Sequence, residues 1–169
     1  MSQKSLELTK KKALMIKINV LINNIKWFSY IKNPSSYLDR KLYKLNLKDK
    51  IFKKKNIFCT LLLSDSKEIK LLNKKFRKKN KATDVLSFPF QEKSELKKNI
   101  KKEKEIYLGD IIINLSKIKN KKELKIFKFE FDHLWIHGLV HLLGYEHKKE
   151  KDFLKMRQIE KKYFDAVND

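Results

Sequence analysis

Histidine is rare in this chain, and all four histidines lie in the seventeen-residue stretch from Phe131 to His147. His137 and His141 are four residues apart, so on a helix their side chains point the same way and can reach one metal ion. Gly144 can then end the helix, and His147 can fold back as a third ligand. Three neutral imidazoles leave the fourth tetrahedral position of zinc to water, which the metal makes more acidic. The spacing therefore predicts a catalytic metal site with an open position.

The same intervals occur in the metzincin proteases, whose pattern is H-E-x-x-H-x-x-G-x-x-H. In those proteases the glutamate after the first histidine takes a proton from zinc-bound water. Here that position is Gly138, which cannot accept a proton. Glycine inside a helix costs roughly 1 kcal/mol relative to alanine, so we expect something to approach the backbone closely there. A bulky substrate at the metal is one such reason.

A histidine taken singly is better interpreted as an ordinary core or surface residue. Three at this spacing, in a chain with only four, favour a metal site instead. His133 lies one further helical turn before His137, but a fourth protein ligand would close the catalytic site. We therefore expect His133 to pack, or to hold a ligating histidine in position through a contact with it.

Length and charge limit the fold and the partners. The 169 residues, 41% of them hydrophobic, predict a single domain over 1–169, with a loose segment over 1–12. The formal net charge of +22 makes nucleic acid the leading partner, although biased codon usage explains so many lysines equally well.

Lys17 interrupts the one segment that resembles a secretory signal, and no apolar run is long enough to span a membrane. We therefore expect a cytoplasmic location and no membrane partner.

The order of apolar and polar residues predicts alternating strands and helices. Strands are expected over 15–20, 57–63, 83–90 and 108–114, with Pro89 indicating an edge strand and Cys59 a buried thiol. Helices are expected over 27–47 with a break at Asn33-Pro34, from Asp65 or Ser66 through Phe76, over 127–143 and over 153–163. Ser35 or Ser36 is the expected cap after the break, and Trp27 and Tyr30 are expected to pack. Residues 91–105 lack a periodic apolar face and are predicted to form a solvated loop.

Three blocks of the sequence resemble the YbeY endoribonucleases, metal-dependent factors of bacterial rRNA maturation. Residues 137–147 match the family signature His-Gly-x-x-His-Leu-x-Gly-Tyr-Asp-His except at Glu146. Residues 83–89 match the family's Thr-Asp-Val-Leu-Ser-Phe-Pro block, and Arg77 precedes this block at the expected interval. Residues 108–111 match the family's Leu-Gly-Asp-Ile. The resemblance thus extends in order over nearly the whole domain.

The resemblance implies one zinc ion per chain, bound by His137, His141 and His147, and an essential catalytic role for Arg77. A guanidinium suits bidentate contact with phosphate, and its charge would stabilise the extra charge of a transition state. Without the resemblance, Arg77 is one more basic surface residue. Glu146 replaces the usual aspartate and keeps a carboxylate there, which can position a metal ligand or transfer a proton. Asp84 and Asp110 are expected to cap turns or to order the sheet.

We therefore expect an α+β fold, a small mixed sheet with packed helices of the zincin-like metal-hydrolase type. The resemblance implies a single-strand-specific, zinc-dependent endoribonuclease acting in 16S rRNA 3′ end maturation and ribosome quality control. It also implies rRNA and the small ribosomal subunit as partners, with ribosomal-protein and GTPase assembly partners. Two alternatives stay open: a zinc metallopeptidase, which Gly138 disfavours, and a non-catalytic ribosome assembly factor with a structural metal.

Overall fold

A computed structural model describes residues 15–49, 55–147 and 149–169 of the chain. The expected loose segment over 1–12 lies outside these residues. Strands and helices alternate through the described part, as the periodicity predicts. In chain order the elements are β1 (Ile16–Ile22), a 3-10 helix (Ile25–Ser29), α1 (Pro34–Lys48), β2 (Asn56–Ser64), α2 (Ser66–Arg77), β3 (Val85–Pro89), α3 (Lys93–Lys102), β4 (Glu105–Asn114), a second 3-10 helix (Leu115–Lys117), α4 (Leu124–Leu142) and α5 (Glu150–Asn168).

The described strands form one mixed sheet in the order β1-β2-β4-β3. β1, β2 and β4 run parallel to one another, and β3 pairs antiparallel with β4 at the edge. This edge position is where Pro89 was expected, because proline has no N–H for a second neighbouring strand. The α+β prediction with a small mixed sheet is confirmed.

One face of the sheet carries the main hydrophobic core beneath α1 and α4. In β2 alternate residues point into this core and are fully buried, namely Ile57, Cys59, Leu61 and Leu63. Trp27 packs there too, with its ring 5.9 Å from that of Phe127 and 5.5 Å from that of Phe131. The expectation that Trp27 is a packing residue is confirmed, as is the buried thiol of Cys59.

A buried polar group joins α1 to the helix that carries the histidines. Asp132 in α4 is 1% exposed, and both of its oxygens accept from the Tyr37 hydroxyl at 3.0 Å. The indole N–H of Trp135 donates to the same carboxylate at 2.9 Å, and the Lys41 ammonium lies 2.9 Å from it. A buried carboxylate with this many partners is satisfied, so the network holds α4 in a fixed position against α1.

Two predictions of local structure are wrong. Residues 93–102 form helix α3 instead of a solvated loop, because Leu96 is buried against the core and Ile100 packs beside it. The cap of α1 is Asn33, whose side chain accepts from the backbone N–H of Ser36, and not Ser35 or Ser36 itself. Proline favours the first position of a helix, which places the capping residue immediately before Pro34. The cap predicted for α2 is confirmed at Asp65.

Among the described residues, no helix combines the length and the apolar character needed to cross a membrane.

Candidate metal centre

Three histidines come together at the C-terminal end of α4. The ligand atoms that His137, His141 and His147 offer all lie within 4.8 Å of one another. The Nε2 atoms of His137 and His141 are 3.1 Å apart. Nitrogen ligands bound at about 2.0–2.1 Å to a tetrahedral zinc ion lie roughly 3.3 Å apart. The two helical histidines are therefore spaced as ligands of a single ion.

The turn after α4 brings the third histidine back to the helix. The backbone N–H of Gly144 donates to the carbonyl of His141 at 2.9 Å, and that of Tyr145 donates to Val140 at 3.2 Å. These are the two bonds of a Schellman motif, which requires a residue in the left-handed region. Gly144 supplies it, with a φ of 85° that glycine adopts without strain. The expectation that Gly144 ends the helix is confirmed.

Hydrogen bonds to the protein fix the rings of the two helical histidines. Nδ1 of His137 lies 2.6 Å from Oε1 of Glu160, and Nδ1 of His141 lies 3.0 Å from the carbonyl oxygen of Tyr145. Both partners are acceptors, so each Nδ1 donates, and Nε2 is left as the ring atom that can serve as a metal ligand. The two Nε2 atoms lie side by side, where one cation would be coordinated by both. The chemistry of the donor set therefore fits a metal ion.

The ionisation of the surrounding groups also suits a metal. Burial lowers the pKa of His141 to about 4, with a further lowering by the nearby imidazole of His137. His141 is therefore neutral at neutral pH, as a metal ligand must be. Burial on its own would raise the pKa of Glu160, but the hydrogen bond and charge of His137 outweigh it and lower the pKa. The Glu160 side chain thus stays a carboxylate able to accept from His137.

Glu160 is the residue of this site that sequence reasoning missed. It lies in α5, 23 residues after His137, and α5 packs against α4. In the sequence it is one acidic residue in a lysine-rich amphipathic segment, and no local spacing connects it with the histidines. The one available signal is that a metal-bound histidine usually donates its other ring N–H to a carboxylate or carbonyl. That rule predicts a partner without saying where it lies in the chain.

Gly138 lies where helix α4 meets the sheet. A Cβ atom built at this position would lie 2.6 Å from Cγ2 of Ile111, a fully buried side chain of β4. The hydroxyl of Ser87 in β3 also donates to the carbonyl of Gly138 at 3.3 Å. It is therefore the sheet that approaches the helix backbone here, which confirms the expected close approach. A side chain at this position would therefore require Ile111 to move.

Arg77 ends α2 and reaches the edge strand beside the histidines. Its Nη2 donates to the carbonyl of Ser87 at 2.9 Å, and its guanidinium carbon lies 5.8 Å from the centre of the Phe88 ring. Arg77 and the three histidines line one cleft of about 1260 Å³. The cleft walls also include Lys79, Phe90, Lys93 and Tyr145. The cationic side chain of Arg77 and the three-histidine cluster therefore face the same cleft.

The remaining predicted residues lie around this centre. The ring of His133 stacks on Phe164 at 3.8 Å between centroids and meets Phe129 edge-on at 4.8 Å, so it packs between α4 and α5. Glu146 is exposed and lines the cleft next to His147. The carboxylate of Asp84 accepts from the backbone N–H of Val85 at 2.8 Å, which is the expected capping role.

The family model and the similar sequences agree on one family. The family model described as Endoribonuclease YbeY matches residues 22–168. An Endoribonuclease YbeY of Pelagibacter ubique is 44% identical over 144 residues, covering 84% of this chain and 90% of the relative. One of Ehrlichia canis is 35% identical over 155 residues, covering 90% of this chain and 93% of the relative. The solution structure of a Thermotoga maritima protein is similar with a TM-score of 0.56 and 29% identity, covering 90% of this chain and 89% of that one.

Proposed function

This chain belongs to the endoribonuclease YbeY family, and on that premise we propose that it is a zinc-dependent enzyme that cleaves single-stranded RNA at its three-histidine centre. We further propose that one zinc ion is held by His137, His141 and His147. Residues 1–169 then act as a single catalytic domain. Membership of the family supports an endoribonuclease role and a substrate that is RNA.

The observation that carries the proposal is the pair of Nε2 atoms 3.1 Å apart, whose opposite ring nitrogens are both held by acceptors. Such a pair suits metal binding, because acceptors engage both Nδ1 atoms and leave both Nε2 atoms as ligand atoms for one ion. His147 completes the set from the turn after α4. When bound, zinc supplies a Lewis acid that polarises a phosphate oxygen or acidifies a water molecule.

The protein's own groups have distinct roles in this account. Arg77 binds the phosphate through its planar guanidinium and stabilises the negative charge that develops on it. The Ser87 carbonyl holds the Arg77 side chain against the edge strand, so the cation is positioned before substrate arrives. Glu160 positions His137 and keeps its Nδ1 protonated. Glu146 is exposed in the cleft beside His147, and its carboxylate can accept a hydrogen bond from a water molecule there.

We also propose that the RNA is ribosomal. In this account the enzyme matures the 3′ end of 16S rRNA in the cytoplasm and takes part in ribosome quality control. The small ribosomal subunit is its partner, together with ribosomal proteins and an assembly GTPase. The formal net charge of +22 supports such partners, because a strongly cationic surface attracts phosphate backbones through counterion release.

The experiment that tests this function compares two substrates. The purified, zinc-loaded protein is assayed on unstructured RNA and on casein, with parallel samples treated with EDTA. We expect cleavage of RNA alone, its loss with EDTA, and its return when zinc is added back. Proteolysis without RNA cleavage would favour a zinc metallopeptidase. Binding to rRNA without cleavage, combined with unfolding of the His141→Ala variant, would favour an assembly factor with a structural metal.

A further inference from the structure

The sheet face opposite α1 and α4 is covered over part of its length. At the C-terminal ends of the parallel strands, α2 packs on this face and buries Ile69 against Leu86 and Ile112. At the N-terminal ends the same face carries three aromatic side chains. We call Phe58, Tyr107 and Phe90 the aromatic row.

The aromatic row runs across the strands. Phe58 in β2 pairs in register with Tyr107 in β4, and their ring centroids are 5.3 Å apart. Phe90 follows β3, its backbone N–H donates to the carbonyl of Leu108, and its ring lies 5.4 Å from that of Tyr107. On the other side, Lys17 in β1 pairs in register with Phe58. With strands about 4.8 Å apart, the row from Lys17 to Phe90 spans roughly 14 Å.

The two outer rings are exposed, and hydrogen bonds hold the half-buried middle ring in place. Phe58 is 41% exposed and Phe90 is 70% exposed. The hydroxyl of Tyr107, between them, donates to the carboxylate of Asp110 at 2.5 Å and lies 3.1 Å from the Thr60 hydroxyl. The Asp110 carboxylate is therefore hydrogen-bonded to a residue of the same sheet face. One exposed aromatic residue is ordinary, but a contacting row beside a lysine is the composition of a stacking platform for single-stranded nucleic acid.

The aromatic row ends beside the cleft that contains the three histidines. Phe90 contacts Tyr107 on the sheet face and also lines the cleft that contains Arg77 and the three histidines. β3 is the edge strand between these two surfaces. A strand of RNA lying on the row therefore needs only to pass the edge of the sheet at Phe90 to enter the cleft.

We propose that the aromatic row binds the bases of single-stranded RNA next to the segment that is cleaved. The bases stack on Phe58, Tyr107 and Phe90, while Lys17 contacts the backbone. The charge of the chain supports RNA as the occupant, because a polyanion complements the formal net charge of +22. This inference rests on the proposed function, since it assigns a second part of the same RNA path.

The test measures RNA binding without cleavage. Fluorescence anisotropy with a labelled twelve-nucleotide oligouridine in EDTA gives the Kd of wild type, Phe58→Leu, and the double variant Phe58→Leu/Phe90→Leu. Leucine keeps an apolar side chain but removes the flat ring. We expect Kd to rise at least about fivefold for the single variant and more for the double variant. Phe58→Trp, which keeps a flat ring, is expected to bind at least as tightly as wild type.

Two controls separate stacking from other causes. Phe28→Leu changes a residue of similar exposure, 46%, in the 3-10 helix beyond the opposite ends of the strands, and is expected to leave Kd unchanged. An abasic strand of equal length removes the bases but keeps the phosphates, so wild type and Phe58→Leu should bind it equally. The slope of the logarithm of the association constant against the logarithm of the salt concentration should be the same in Phe58→Leu as in wild type. In Lys17→Gln it should be shallower by about one unit, because one phosphate contact is lost.

The outcomes distinguish this inference from the proposed function. If the zinc-loaded wild type cleaves RNA but the phenylalanine variants bind oligouridine as wild type does, the aromatic row is not an RNA site and the function stands. If the wild type never cleaves RNA yet shows the stacking pattern, the row binds RNA and the nuclease proposal fails. Equal loss of affinity for normal and abasic strands in Phe58→Leu would also overturn stacking.

Discussion

Oε1 of Glu160 lies 2.6 Å from Nδ1 of His137, which joins the last helix of the protein to the helix that carries the histidines. Their exposed fractions are 26% and 34%, so the pair is only partly in contact with water. A carboxylate behind a metal-binding imidazole fixes its tautomer and ring orientation and raises its basicity. Under the proposed function, Glu160 therefore connects the packing of α5 to the metal affinity of the centre.

Replacing Glu160 should weaken metal binding without unfolding the protein. We expect Glu160→Ala to raise the zinc Kd by about 10–100-fold, the usual cost of losing such a partner. Glu160→Gln should cost less, because the amide oxygen still accepts from Nδ1. Competition with a chromophoric chelator measures both, and circular dichroism checks the fold. Asp165→Asn, which removes an exposed carboxylate from the same helix, is the matched control and should bind zinc normally.

Arg77 should be required for cleavage but not for metal binding. We expect Arg77→Ala to abolish RNA cleavage while zinc content and thermal stability stay close to wild type. Arg77→Lys keeps the charge but loses the planar fork, so partial activity is expected. Single-turnover cleavage with saturating enzyme separates this effect from RNA affinity. Full activity in Arg77→Ala would remove this residue from the mechanism.

The close packing of Gly138 against Ile111 should affect the free energy of unfolding when either residue is changed. Alanine at position 138 improves helix propensity by roughly 1 kcal/mol. Its Cβ would however lie 2.6 Å from a buried Cγ2 atom, and such overpacking costs typically about 1–3 kcal/mol. We expect Gly138→Ala to lower the free energy of unfolding in urea. In the Ile111→Ala background the same substitution should be neutral or stabilising, and an unchanged cost there would contradict the steric explanation.

Cys59 should be inert while the protein is folded. Burial raises the pKa of its thiol to about 12, with a further contribution from the negative charge of Asp110. In the unfolded protein the thiol has a pKa of about 8.5, so at mildly alkaline pH it ionises appreciably. In the folded protein it stays protonated at the same pH. We expect a disulfide reagent to label Cys59 in guanidinium chloride and to leave the native protein almost unlabelled. Rapid labelling under native conditions would show that β2 opens.

The histidines and the strands could be predicted because their signals are local. His137 and His141 lie one helical turn apart, and the alternation in β2 reports burial on one face. Helix α3 was missed because Leu96 is its one buried residue, which leaves too little periodicity to detect.

Glu160 and the true contact of Gly138 depend on tertiary packing. The partner of His137 lies 23 residues away, and Ile111, the residue that crowds Gly138, lies in strand β4. No spacing within a single element encodes either contact. Helix α4 was therefore predictable from its own sequence. Its contacts with Glu160 and Ile111 were not, because those residues lie in other elements.

The most direct test of the account is a zinc titration of EDTA-stripped protein in which bound metal and the rate of RNA cleavage are measured on the same samples. We predict that activity rises in proportion to bound zinc and reaches its plateau at one ion per chain. His141→Ala should show neither binding in this range nor cleavage. Cleavage at the full rate by protein without bound metal would contradict the central claim that the three histidines form the catalytic centre.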